Sequence, residues 1–277
     1  MKLGRQWDER LKIWDGAFGE NLYTPLARLA LSGFTTFEQM TLEQAKKQTF
    51  RPFPGGSSWG RKWEYGWFRT EAVLPEAAEG KRIMLHIGAG PEMLVFVNGK
   101  AAGSIDKQHS MVELTDRAVR GQRFEIYAEV YAGHGVRAES GGICSRDSVP
   151  VPEPPECQCT VADSHFGIFR EDLFAVYADY HTLYELWKAM PDSDLRTMKI
   201  GDALREFTFA ADFEAEEPLR TESIRKAGEL LRPLLAKHNG DTVPEYTVFG
   251  QSHIDLAWLW THEETKRKSA RTYSNQI

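Results

Sequence analysis

The sequence predicts a multidomain chain: an antiparallel β-sandwich, a helical linker, and the first β-α unit of an α/β domain left incomplete. Three observations lead there. Short runs of strand-forming residues recur between Pro52 and Tyr131, punctuated by Pro, Gly, Asn and Asp. From about Leu173 the apolar period changes to three and four, the spacing of a helix face. Near the C-terminus, a strand-like run passes directly into a helix-start signal, with an imidazole and a carboxylate between them.

Residues 1–50 read as an N-terminal helical segment with a break. Trp7, Leu11 and Trp14 recur at helical spacing, Gly16 and Gly19 interrupt them, and Thr41-Leu-Glu-Gln44 has the form of a capping box. Such a stripe is a packing surface, and no function is assigned to it.

Residues 51–150 carry the sandwich. Its strands are expected at Trp67–Leu74, Arg82–Ile87, Met93–Val97, Ser110–Leu114 and Arg123–Tyr131, with Asn98-Gly99 as a hairpin turn. The last run places Phe124, Ile126, Ala128 and Val130 on one face and Glu125, Tyr127, Glu129 and Tyr131 on the other, the pattern of a half-buried strand. Trp59, Trp63, Tyr65 and Trp67 could form a sugar-stacking platform, but packing is the stronger expectation for a Gly- and Trp-rich loop beside a strand.

Residues 151–243 read as connector and helices. Pro150, Pro152, Pro154 and Pro155 mark an extended stretch. The glycines of Gly133-His-Gly135 and Gly141-Gly142 lack the Lys-Ser/Thr and the strand-to-helix context of a phosphate loop. His134 and His165 have no partner at metal-ligand spacing and read as loop or packing residues. Helices are expected over Leu173–Trp187, Leu195–Phe209 and Leu219–His238. The last turns Ile224, Ala227, Leu231, Leu234 and Leu235 inward, is interrupted by Pro233, and has Gly240 just past its end.

Residues 244–277 hold the most informative stretch. Tyr246–Phe249 reads as a buried strand after Pro244, and Thr261 with Glu264 as a capping box opening a helix. His253 and Asp255 lie between. On extended backbone, side chains two residues apart point the same way, so the imidazole and carboxylate can converge on one point. Ligand-type residues where a strand runs into a helix occupy the position at which α/β folds place their sites. Along the helix, Glu263 with Arg267 and Glu264 with Lys268 are spaced for ion pairs on an outer face.

Composition narrows the function. The chain has 277 residues, is 42% hydrophobic and carries a formal charge of −6, with no basic cluster, which argues against a nucleic-acid partner. No apolar run approaches a membrane span, and the N-terminus lacks the apolar core of a signal peptide. Cys144, Cys157 and Cys159 do not suggest a disulfide framework. Free thiols are expected, Cys157-x-Cys159 as half a metal site being the lesser reading. A cytoplasmic protein is expected, and a homo-oligomer is left open.

The stretch Gly250-Gln-Ser-His-Ile-Asp-Leu-Ala-Trp-Leu-Trp260, with the following Glu-Glu-Thr and Ala270-Arg-Thr-Tyr-Ser274, resembles the opening of the catalytic domain of family 38 glycoside hydrolases, the retaining α-mannosidases. Many members carry His where this chain has Gln251. The resemblance implies that His253 and Asp255 bind a divalent metal, usually zinc with cobalt as an alternative, and that Trp258 stacks on the sugar. Gly55-Gly-Ser-Ser-Trp-Gly60, Trp67-Phe-Arg69 and Phe96-Val-Asn-Gly99 resemble the jelly-roll ancillary domain of the family's cytosolic and bacterial branch. It further implies an incomplete α/β barrel, since such a barrel needs about 200 residues or more and only roughly thirty are present.

In a retaining enzyme one carboxylate attacks the anomeric carbon and another serves as acid and base, about 5–5.5 Å away. The family's nucleophile, itself a metal ligand, its acid/base and its last His ligand are expected beyond Ile277, so the piece alone should be inactive. The alternative is a non-catalytic carbohydrate-binding module in which the sandwich does the work. A metal-dependent polysaccharide deacetylase shares the metal chemistry but gains no support from the sandwich.

Overall fold

The computed structural model describes residues 3–134, 156–237, 246–258 and 260–276. The chain divides into two units: residues 25–168 with 248–277, and residues 1–24 with 169–247. The connector prolines 150–155, Cys144, the second glycine of Gly133-His-Gly135, the Gly141-Gly142 pair, the far end of the last linker helix with Gly240, and Pro244 lie outside the described residues.

The first unit is a β-sandwich of jelly-roll type. One sheet has four strands in the order β1 (Tyr23–Leu29), β12 (Ser164–Phe169), β6 (Ile83–His86), β9 (Val112–Thr115). The other has six: β3 (Arg51–Pro52), β2 (Ser32–Thr36), β5 (Tyr65–Val73), β10 (Arg123–Tyr131), β7 (Glu92–Val97) and β8 (Lys100–Ile105). A small pair joins β4 (Ser58–Trp59) to β11 (Cys159–Thr160). Apolar residues of both large sheets, among them Phe68, Val95, Ile126 and Val130 on one and Ile83, Leu85, Val112 and Phe166 on the other, share a single core. The expected strands and the Asn98-Gly99 hairpin are present. Both turn residues take positive φ, 50° and 83°, as a tight hairpin of this hand requires.

Three features correct the sequence reading. The stretch 1–50 is not mostly helical: β1 and β2 fall within it, so the sandwich begins well before residue 51. β12 likewise lies in the region read as connector and helices, and β8 was not anticipated. The break at Gly16 and Gly19 is absent, because helix α1 (Arg5–Asn21) runs through both. Elsewhere the reading holds at Thr41, where both halves of the capping box form ahead of α2 (Leu42–Ala45).

β10 departs from a half-buried strand. From Ile126 to Tyr131 every residue is buried, on both faces. It is the fourth of six strands, one face turned to the core and the other covered. Tyr127 packs with Leu42, Ala45 and Trp67, and Glu129 and Tyr131 meet a C-terminal helix described below. The Trp59 loop is a plug rather than a platform. Trp59 and Trp67 are buried, and the Trp59 indole donates to the Ala89 carbonyl at 2.8 Å.

The second unit packs α1 with α3 (Glu171–Ala189), α4 (Leu195–Ala210), α5 (Leu219–Gly228) and α6 (Arg232–Leu235). Leu173, Val176, Tyr180, Leu183, Tyr184 and Trp187 form the buried face of α3, as their spacing predicts. The Tyr180 hydroxyl donates to the Leu11 carbonyl at 2.8 Å. The last expected helix restarts at Arg232 with Pro233 in its first turn, where a missing N–H costs nothing. Leu235 is exposed rather than inward.

Candidate metal and sugar site

The site is carried by the polypeptide that runs from residue 246 into helix α7 (His262–Ser274). Thr261 caps that helix, its hydroxyl accepting from the Glu264 backbone N–H at 3.3 Å. The reciprocal half of the expected capping box is absent, because the Glu264 carboxylate turns inward. It accepts from the Tyr65 hydroxyl on β5 and from Arg271 two turns further along the same face of α7, and only 1% of Glu264 remains exposed.

The expected surface pairs along α7 are likewise replaced by contacts to the sandwich. Arg267 pairs with Glu129 on β10 and donates to the Met40 carbonyl at 2.7 Å. Lys268 and Arg271 both reach Glu92 on β7, at 3.1 and 2.8 Å. Asn275 accepts from the Ser104 backbone N–H at 2.8 Å. A face that reads as solvated from its charge is thus docked, its cations matched to carboxylates on the outer side of the six-stranded sheet.

The electrostatics follow from this packing. Burial works to raise the Glu92 pKa, but Arg271 and Lys268 outweigh it and hold the carboxyl below its ordinary value. Burial works against the Arg271 charge, and Glu92 with Glu264 more than restores it. The Tyr65 hydroxyl is driven far up by burial and by Glu264, and stays a neutral donor. Spacing along the chain carries no trace of Tyr65, Glu92 and Glu129 as partners, since each lies more than a hundred residues from α7.

Upstream of α7 the expected buried strand is absent. Tyr246, Val248 and Phe249 are 82%, 92% and 80% exposed. A strand needs neighbours to take its backbone hydrogen bonds, and no described residue pairs with this stretch. The chain there has no regular secondary structure, and it is tied to α7 by the Thr265 hydroxyl, which donates to the Leu256 carbonyl.

Within that segment His253 and Asp255 face each other, with Nε2 2.8 Å from Oδ1. Both are accessible, the histidine side chain 77% and the aspartate 40%. An imidazole nitrogen and a carboxylate oxygen suit zinc or cobalt. Among the described residues, no group of three or more His, Cys, Asp and Glu gathers to hold a metal. The pair therefore fits as part of a donor set. Trp258 is half exposed, edge-on to Trp260 with ring centroids 6.1 Å apart, and so has a ring available to stack on a sugar.

The other titratable candidates are placed elsewhere. His165 stacks on His86 with centroids 5.1 Å apart, across the β12–β6 pair. Cys159 is buried beside Gly60, its thiol pushed up to about 11 by burial, while Cys157 is exposed; both are free thiols. Among the described residues, no helix is long and apolar enough to cross a membrane.

Comparison with known proteins adds three findings. Residues 25–189 match the family described as "Alpha-mannosidase, jelly roll domain", and residues 244–277 match "Glycosyl hydrolases family 38 N-terminal domain". The chain is 26% identical over 260 residues to mouse "Alpha-mannosidase 2C1", and 27% identical over 249 residues to the human protein of that name. Those alignments cover 92% and 88% of this chain but 24% and 23% of the relatives, so the chain spans about a quarter of their length. Among solved structures, a β-glucuronidase from Ruminococcus gnavus in complex with uronic deoxynojirimycin aligns over 54% of this chain and 29% of its own. Its TM-score is 0.36 and its identity 13%, a level that says nothing of activity.

Proposed function

Since the chain belongs to the alpha-mannosidase jelly-roll family, we propose that it is the N-terminal part of a metal-dependent retaining α-mannosidase acting on terminal α-mannosides of oligosaccharides. The observation that carries this reading is the 2.8 Å convergence of His253 and Asp255 just ahead of α7, inside the stretch matched to the family 38 domain. In the whole protein His253 and Asp255 hold a divalent ion, zinc or cobalt, together with later donors. When bound, such an ion supplies a positive charge against which sugar hydroxyls are fixed. Trp258 offers the apolar sugar face a ring, and the docked α7 fixes the place from which all three residues project.

The sandwich then serves as the seat of α7, and the burial of Trp59 favours this reading over a free-standing module on Trp59 and Trp63. The free thiols Cys157 and Cys159 suit a reducing compartment, and we place the protein in the cytoplasm.

The test is hydrolysis of an aryl α-mannoside by the protein extended to the length of its relatives. Activity abolished by a chelator, restored by zinc or cobalt, and lost in His253→Ala is the expected result. Chelator-insensitive activity, or full activity in His253→Ala, contradicts the reading. The 277-residue chain alone should show no hydrolysis.

A further inference from the structure

The stretch that carries His253, Asp255 and Trp258 belongs to no sheet among the described residues, so ladder hydrogen bonds do not hold these side chains in place. Two ties run from it to α7 instead. The Thr265 hydroxyl donates to the carbonyl of Leu256, the residue that follows Asp255. Further along, the Lys268 ammonium lies 4.7 Å from the centre of the Trp260 ring, and Trp260 stands edge-on to Trp258.

Both ties depart from what a helix surface does by itself. A threonine in a helix commonly turns its hydroxyl back to the carbonyl four residues earlier. For Thr265 that carbonyl, on Thr261, is 3.4 Å away, and the hydroxyl reaches out of the helix to Leu256. Lys268 is held from the opposite side by Glu92 on β7, at 3.1 Å, so its ammonium bridges the six-stranded sheet and the Trp260 ring. A side chain locked in this way orients its neighbour at little further ordering cost.

The two ties act on different ends of the site. Fixing the Leu256 carbonyl fixes the peptide that leaves Asp255, and His253 follows through its 2.8 Å contact with that carboxylate. Fixing the Trp260 ring limits the positions open to Trp258. Neither tie is needed for folding. Leu256 is 70% exposed, so its carbonyl turns to water at little cost when the hydroxyl is removed. Glu92 keeps Arg271 when Lys268 is removed, which leaves α7 docked.

We propose that Thr265 and Lys268 are positioning residues of this site: Thr265 places the His253–Asp255 pair for its metal, and Lys268, acting through Trp260, places the Trp258 ring for the sugar. The proposal rests on the mannosidase reading of the same stretch. It adds two residues that touch neither metal nor sugar, with separable effects.

The test uses the protein extended to the length of its relatives, with zinc affinity measured by chelator competition and KM and kcat on an aryl α-mannoside. Thr265→Val should weaken zinc binding about tenfold or more, the range for outer partners of metal ligands, and Thr265→Ser should restore it. Lys268→Met should leave zinc affinity and the visible spectrum of the cobalt-loaded protein unchanged while raising KM severalfold, with Lys268→Arg restoring KM. Hydrogen exchange over residues 262–274 reports whether α7 stays docked in each variant. Wild-type zinc affinity in Thr265→Val with α7 docked overturns the proposal. So does an unchanged KM in Lys268→Met, or a loss in either variant that the conservative substitution fails to restore. Failure of the mannosidase reading is seen separately, in an unsubstituted protein that neither binds zinc nor hydrolyses the mannoside, and it takes the proposal with it.

Discussion

Arg271 on α7 and Glu92 on β7 are 179 residues apart in the chain, and the arginine Nε lies 2.8 Å from the glutamate carboxylate. Glu264 closes the other side of the same guanidinium. Removing one member of a buried pair leaves an uncompensated charge, at a cost of about 3–5 kcal/mol. Arg271→Leu should therefore release α7 from the sandwich. Hydrogen exchange over residues 262–274 should rise sharply, while the four-stranded sheet keeps its protection.

Acid should have the same effect more gently. The Glu92 carboxyl titrates below its ordinary 4.5, so the docking it supports is fully present above that value. It is lost as pH falls through the depressed one. Helix docking followed by hydrogen exchange should hold at neutral pH and fail on acidification below 4.5. In Glu92→Gln the contribution of this residue to that acid limb should vanish, leaving docking weaker at neutral pH.

Gly16 and Gly19 lie inside α1 with nothing within 4 Å of where a Cβ would stand. Each costs the helix roughly 0.5–1 kcal/mol relative to alanine. Gly16→Ala should raise the stability of the helical unit by about that amount in urea unfolding, with no change in the sandwich.

Trp59 tests the role of the aromatic loop. Its indole is in the sandwich core, where it packs against Phe68 and bonds to Ala89. Trp59→Ala should cost about 3–5 kcal/mol of stability, the range for emptying an aromatic site. A variant of undiminished thermal stability with reduced sugar binding would restore the stacking-platform reading.

The strands with strong β-forming composition were legible in the sequence. β5, β6, β7 and β10 are rich in branched and aromatic residues, and the Asn98-Gly99 turn joins β7 to β8. β1 escaped because Pro25 and Arg28 break its pattern, and both are tolerated on a strand at the edge of its sheet. Gly33 weakened the signal of β2, yet the sheet requires it: a Cβ there would stand 2.7 Å from the Phe68 ring.

At the site, the His253–Asp255 convergence was legible because the two side chains stand only two residues apart in the chain. The docking of α7 was not. Charges four residues apart look like partners on a bare helix, and only the folded sheet supplies Glu92, Glu129 and Tyr65 to outcompete them. The exposed run Tyr246–Phe249 has strand composition without strand neighbours, and composition cannot supply the missing hydrogen-bond partners.

Metal content tests the central claim most directly. Elemental analysis of the protein extended to its relatives' length, purified with zinc present and then dialysed, should give one zinc per chain, and none in His253→Ala or Asp255→Asn of unchanged circular dichroism. Zinc retained at full stoichiometry by either folded variant would contradict the assignment of this pair as metal ligands.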